Sequence, residues 1–170
     1  FVDDLIKYLN KNNKKTVIDA DAINVLSKSE LSSFPSDSVI TPHPVELSRL
    51  INTPVKDIQN DRIKYAKLTA EKFGCCVVLK GNQTVVCTKD LEVFVNTSGN
   101  SALAKAGSGD VLTGIISGLM AQAVSVENAA KLGVYLHGLC GELASQDLSL
   151  YSVLATDQID YIPVSYTHLT

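Results

Sequence analysis

The sequence predicts an α/β domain, a mainly parallel sheet with helices on both faces. Three observations carry this. Short apolar runs of strand length, TVIDA (16–20), SVITPH (38–43) and CVVLK (76–80), recur along the chain. Longer stretches of helical periodicity separate them, and a Gly-rich turn, AGSGD, opens directly into the apolar run VLTGIISGL.

The elements follow in order. Val2, Leu5, Ile6 and Leu9 recur at helical spacing ahead of the first strand. Pro42 and Pro44 force the chain out of the second strand before ELSRLI begins a helix. Residues 55–73 read as one long amphipathic helix, its apolar side supplied by Val55, Ile58, Ile63, Ala66, Leu68 and Ala70, ended by Gly74. CVVLK is a third buried strand, and adjacent Cys75 and Cys76 are expected on opposite faces. TVVCT (84–88) and LEVFV (91–95), parted by Lys89 and Asp90, fit a hairpin. Helices over about 109–122 and 126–146, with a shorter one near 156–161, complete the pattern.

A chain of 170 residues with formal net charge -3 has one core of ordinary size and no Lys/Arg cluster able to track a phosphate backbone. The basic run KNNKK (11–15) closes a helix, so nucleic acid is set aside. No apolar run is long enough for a bilayer, and the amphipathic, acidic start lacks the parts of a signal peptide. A soluble, cytoplasmic protein is expected. The four cysteines lack CxxC spacing and read as buried small hydrophobes.

Because the first element is a helix feeding a sheet strand, an ordinary parallel sheet requires strands before residue 1, and an N-terminal portion is expected to be missing. VSYTHLT (164–170) follows a helix expected to finish at Pro163 and adds no periodic element. The domain is therefore drawn as 1–163, with 164–170 an extraneous tail.

In open parallel sheets the ligand crevice lies at the carboxyl ends of the strands, and the chemistry-bearing residues here all follow strands. Gly107 and Gly109 allow close approach of a ligand, and the first turn of the next helix offers free N–H groups to an anion. Asp110 at that terminus is placed to take a proton from a hydroxyl attacking phosphorus, or simply to complement the helix dipole. KGNQT (80–84) is a hairpin turn whose Lys80 and Thr84 are also suited to a nucleotide's phosphate or ribose. In TPHPVE two prolines aim His43, while Glu46 occupies the first turn of a helix. Asp19, Asp21 and Asn24 are weaker candidates for substrate or metal, and His137 reads as a helix-packing residue.

Taken together, DADAIN, TPHPVE, LKGNQT and SGNSALAKAGSGDVLTGIISGL occur in the order and spacing of one family. The chain resembles the ADP-dependent NAD(P)H-hydrate dehydratases of the ribokinase-like superfamily, over residues 1–163. The resemblance implies removal of water from hydrated NADH or NADPH, coupled to hydrolysis of ADP or ATP with Mg2+. It makes Asp110 the acid beside the substrate hydroxyl and sets Gly109 against the nucleotide phosphates. It places His43 on the hydrated nicotinamide nucleotide, and Lys80, Gly81, Asn82, Gln83 and Thr84 in the nucleotide-binding loop. Glu46 is a magnesium ligand only by analogy with the wider superfamily.

The chain departs from the family at Val45, where Gly is usual, and at Ala102 and Leu103, where Pro-Gly-Met is common before the turn. Family members also carry an N-terminal portion with Gly-rich substrate contacts, so this chain matches the C-terminal part. A small-molecule kinase of the same superfamily and a non-catalytic nucleotide-binding module are the competing readings. An upstream epimerase domain and homo-oligomer formation are left open.

Overall fold

The computed structural model describes residues 1–167. Helix α1 (Val2–Lys11) leads into β1 (Thr16–Ile18), and α2 (Asp21–Leu26) carries the chain toward β2 (Ser38–Ile40). Three helices, α3 (Pro44–Ile51), α4 (Val55–Asn60) and α5 (Arg62–Phe73), precede β3 (Cys76–Leu79). The chain then reverses through β4 (Val85–Cys87) and β5 (Val93–Val95). A 3-10 turn at Ser101–Leu103 introduces α6 (Ser108–Ala121), α7 (Val126–Leu148), α8 (Ala155–Asp160) and α9 (Ile162–Thr167).

The sheet order follows chain order, β1-β2-β3-β4-β5. β1, β2 and β3 are parallel, with Ile18 opposite Ile40 and Ile40 opposite Val77; β4 and β5 extend them as antiparallel strands. Alternation along the strands makes two cores. Ile18, Ile40, Val77, Leu79, Val85 and Cys87 pack with α1 to α5, whereas Val39, Cys76, Val78 and Val86 pack with α6 and α7. Each such side chain, fully buried, stabilises the fold by roughly 1.5–3 kcal/mol. Cys75 and Cys76 fall in opposite layers as their adjacency requires, and burial pushes the Cys76 thiol up to about 12, out of reactive range.

Two expectations about helices are corrected. The run 55–73 is two helices, because Asp61 (φ -146°, ψ 74°) turns its carboxylate onto the Lys64 amide at 3.0 Å and caps α5 instead of continuing α4. Ile63 and Leu68, assigned to the apolar side of the run, are 44% and 46% exposed. The second correction concerns Pro163, which sits in the first turn of α9, where a missing N–H costs nothing, so a further helix follows α8. Ser165 of that helix is buried. Residues 168–170 of the expected tail lie outside the described residues.

Candidate active site

The end of β1 delivers Asp19 into the crevice. Ala20, next in the chain, holds φ 50° and ψ -121°, a conformation that costs of order 1–3 kcal/mol for a residue with a Cβ. The Asp19 carboxylate ties three elements together: Oδ1 accepts from Lys80 Nζ at 2.8 Å after β3, and Oδ2 accepts from Thr113 Oγ1 of α6 at 3.0 Å. Burial by itself would raise the carboxyl's pKa, but Lys80, Thr41 and the Ala20 amide outweigh it and hold Asp19 below the usual carboxylate value. Gly109 faces this pair, since a Cβ there would lie 3.6 Å from Lys80 Nζ and 3.8 Å from Asp19 Oδ2.

β2 ends at Ile40, and after Thr41 and Pro42 the chain reaches His43, the N-cap of α3. Its Nδ1 accepts from the Val45 and Glu46 amides at 3.1 and 3.2 Å, while Glu46 Oε2 accepts from the His43 amide at 2.8 Å. With Nδ1 an acceptor, the ring proton sits on Nε2, 3.3 Å from Glu46 Oε1. Glu46 is buried, and Lys80 Nζ stands 3.8 Å from its Oε2. His43 is half-exposed, so the two flanking prolines present its ring at the crevice mouth.

Both Glu46 oxygens are engaged within the chain, and the described residues contain no cluster of three or more His, Cys, Asp or Glu side chains placed for a metal.

Gly107 takes φ 87° and turns the chain into α6. Asp110, in the first helical turn, is exposed and does not cap the helix; its carboxylate makes no hydrogen bond or ion pair among the described residues. The Gly109 and Asp110 amides likewise donate to no acceptor among them. A free carboxylate and free N–H groups therefore share one helix mouth. Beside them runs a groove of about 530 Å³ lined by Asp110, Val111, Gly114, Ile115, Ile159 and Ile162 among others.

Residues 80–84 join β3 to β4 as the hairpin reading expects. Gly81, Asn82 and Gln83 are exposed, but Lys80 is held by Asp19, and Thr84 Oγ1 donates to the Gly81 carbonyl at 3.1 Å. Neither polar side chain is idle.

Behind the Gly-rich turn lies a buried polar knot. Ser108 Oγ lies 3.0 Å from His137 Nε2 and 3.2 Å from Gln158 Oε1, linking α6, α7 and α8. Burial pulls His137 down to about 4, so it is neutral at pH 7. The packing role expected for His137 is thus a polar one, directly under the helix mouth. Asp19, ranked low from sequence, is the hub of the crevice. Its place directly after a strand was the signal; Thr113, 94 residues away, left none.

A mixed sheet with a crevice at its strand ends, where a lysine-bearing turn meets a helix mouth carrying a free carboxylate, defines the ribokinase-like class of α/β proteins. A chain of that superfamily from Enterococcus faecalis, 30% identical, superposes with a TM-score of 0.80 over 97% of this chain and 57% of its own. Residues 2–164 match the family model described as NAD(P)H-hydrate dehydratase, and the chain belongs to that family. It is 42% identical over 150 residues to the ADP-dependent (S)-NAD(P)H-hydrate dehydratase of Neisseria meningitidis, covering 86% of this chain and 51% of the relative. It is also 42% identical over 149 residues to the bifunctional NAD(P)H-hydrate repair enzyme of Moorella thermoacetica, covering 86% of this chain and 28% of that one. The crystal structure of the Bacillus subtilis ADP/ATP-dependent NAD(P)H-hydrate dehydratase, co-crystallised with ATP/Mg2+ and soaked with CoA, superposes with a TM-score of 0.84 at 36% identity. That match covers 93% of this chain and 57% of the other. The chain thus spans about half or less of the relatives it matches.

Proposed function

We propose that this chain supplies the nucleotide site and the catalytic base of an ADP-dependent NAD(P)H-hydrate dehydratase acting in the cytoplasm, residues 1–163 forming the functional part. The observation that carries this is the unpartnered Asp110 carboxylate beside free amides at the mouth of α6.

Asp110 takes the proton of the hydroxyl on the hydrated nicotinamide ring, and the oxygen attacks the terminal phosphorus of ADP. The bond from that phosphorus to the nucleotide breaks and AMP departs. The ring nitrogen's lone pair then breaks the carbon–oxygen bond of the ester and expels inorganic phosphate, and loss of a ring proton restores the double bond. Water alone is a poor leaving group; its phosphate ester is a good one. The α6 amides stabilise charge on the transferring group, residues 80–84 bind the nucleotide, and His43 lies against the nicotinamide nucleotide. Mg2+, when bound with the nucleotide, would supply charge neutralisation at its phosphates; Glu46 is the weaker candidate to hold it, both of its oxygens being engaged by His43.

The test is incubation of the intact protein with hydrated NADH and ADP. Recovery of reduced-nicotinamide absorbance with stoichiometric phosphate release is expected. Accumulation of a stable phosphate ester in a parallel incubation with ATP and a vitamin precursor or sugar alcohol, with no recovery of absorbance in the first, would instead identify a kinase.

A further inference from the structure

The break between α4 and α5 has a consequence at the nucleotide turn. Capping by Asp61 makes Arg62 the first residue of α5, and its side chain reaches beneath residues 79–82. Nη2 donates to the Leu79 carbonyl at 2.8 Å and Nη1 to the Asn82 carbonyl. The guanidinium lies against Gly81, where a Cβ would come within 2.9 Å of Nη2, and Gly81 adopts φ +150°. The positive φ favours glycine there, and any Cβ would push on the guanidinium.

A plain hairpin turn has no use for this arrangement. It places a cation at the helix end that disfavours cations, and it buries Nε with no hydrogen-bond partner among the described residues. Burial also lowers the pKa of Arg62, though a guanidinium remains charged at neutral pH. Of the two cations beside the turn, Lys80 is balanced by Asp19, whereas Arg62 forms no ion pair among the described residues. Its positive charge, held against the Leu79 and Asn82 carbonyls, is therefore balanced by no carboxylate among the described residues.

We propose that Arg62 is the positioning residue of the nucleotide turn. It draws the Leu79 and Asn82 carbonyls inward and lends an uncompensated positive charge to a site for anionic phosphates. This rests on the proposed role of residues 80–84, through which Arg62 acts without touching the nucleotide.

The test compares Arg62→Met and Arg62→Lys with the unaltered intact protein. Amide hydrogen exchange is followed across residues 79–84 without nucleotide, ADP affinity is measured by calorimetry, and melting is recorded. In Arg62→Met, exchange in the turn should accelerate at least about tenfold, and ADP binding should weaken about tenfold to a hundredfold, the scale of charge-assisted hydrogen bonds. Arg62→Lys keeps the charge but loses the fork, so it should show the faster exchange with a smaller loss of affinity. Should Arg62→Met fail to fold, the Lys variant alone decides, and unchanged exchange with unchanged affinity there overturns the proposal. A lower melting temperature with wild-type affinity and turn exchange also overturns it. If the unaltered protein binds no ADP, the functional reading of the turn fails, while the exchange measurement still tests the positioning.

Discussion

Lys80 and Asp19, 61 residues apart in the chain, meet at 2.8 Å where two parallel strands end. The side chains are 21% and 11% exposed, so the pair is neither a surface ornament nor a fully desolvated one. It fixes the turn at residues 80–84 to β1 and, through Thr113, to the helix that carries Asp110.

Lys80→Ala should therefore lose both nucleotide affinity and stability. Removing the ammonium leaves a largely buried carboxylate unpaired, at a cost of about 1–3 kcal/mol. In a double-mutant cycle with Asp19→Ala, the two losses should add to more than the loss in the double variant. Strict additivity in urea unfolding would refute the coupling.

Asp110→Asn should leave the melting temperature nearly unchanged, because the carboxylate has no partner among the described residues to lose. Turnover of hydrated NADH with ADP should fall by about two to four orders of magnitude, the scale of a positioned proton acceptor. Near-normal recovery of absorbance in this variant would remove Asp110 from the chemistry.

His137 predicts an acid-side instability. Its pKa is depressed from 6.5 to about 4 by burial, so the unfolded chain takes up the proton first and its stabilisation is full above pH 6.5. That stabilisation is lost as pH falls from 6.5 through 4. Asp19, also held low, loses its contribution only as pH falls below the usual carboxylate value, so the upper part of the window reports His137. Urea unfolding between pH 7 and 4.5 should show the decline, and His137→Gln should flatten it. An equal slope in both proteins would assign the effect elsewhere.

Gly138 of α7 should tolerate no side chain. A Cβ there would lie 2.1 Å from Ser98 Oγ and 2.7 Å from Ser98 backbone carbon, and Ser98 is itself tied to the Tyr135 carbonyl at 2.9 Å. Gly138→Ala should cost about 1–3 kcal/mol by overpacking. Gly118→Ala on α6, where a Cβ would meet no atom within 4 Å beyond its chain neighbours and its own helix backbone, should be neutral or stabilise by about 0.5–1 kcal/mol. Equal melting temperatures for the two variants would contradict this account of α7 packing.

Much of the architecture was readable from local pattern. Apolar runs of strand length, Gly74 ending α5 with φ 66°, and the reversal around 80–84 are set by interactions within a few residues. Asp61 was misread because a carboxylate inside an amphipathic run looks like one more solvent-facing residue. Whether it continues a helix or caps the next depends on where α5 must lie to cover β3 and β4.

By itself, then, the sequence determined the α/β class, the strand order of elements along the chain and the motifs at the crevice, because periodicity, capping and turn chemistry act between near neighbours. Only the tertiary structure decided which of those residues are free to react. It neutralised Lys80 with Asp19, folded Glu46 into a helix cap, left Asp110 unpartnered and slid Arg62 beneath the turn. Charge pairing and burial are set by distances between segments far apart in the chain, and no local pattern encodes them.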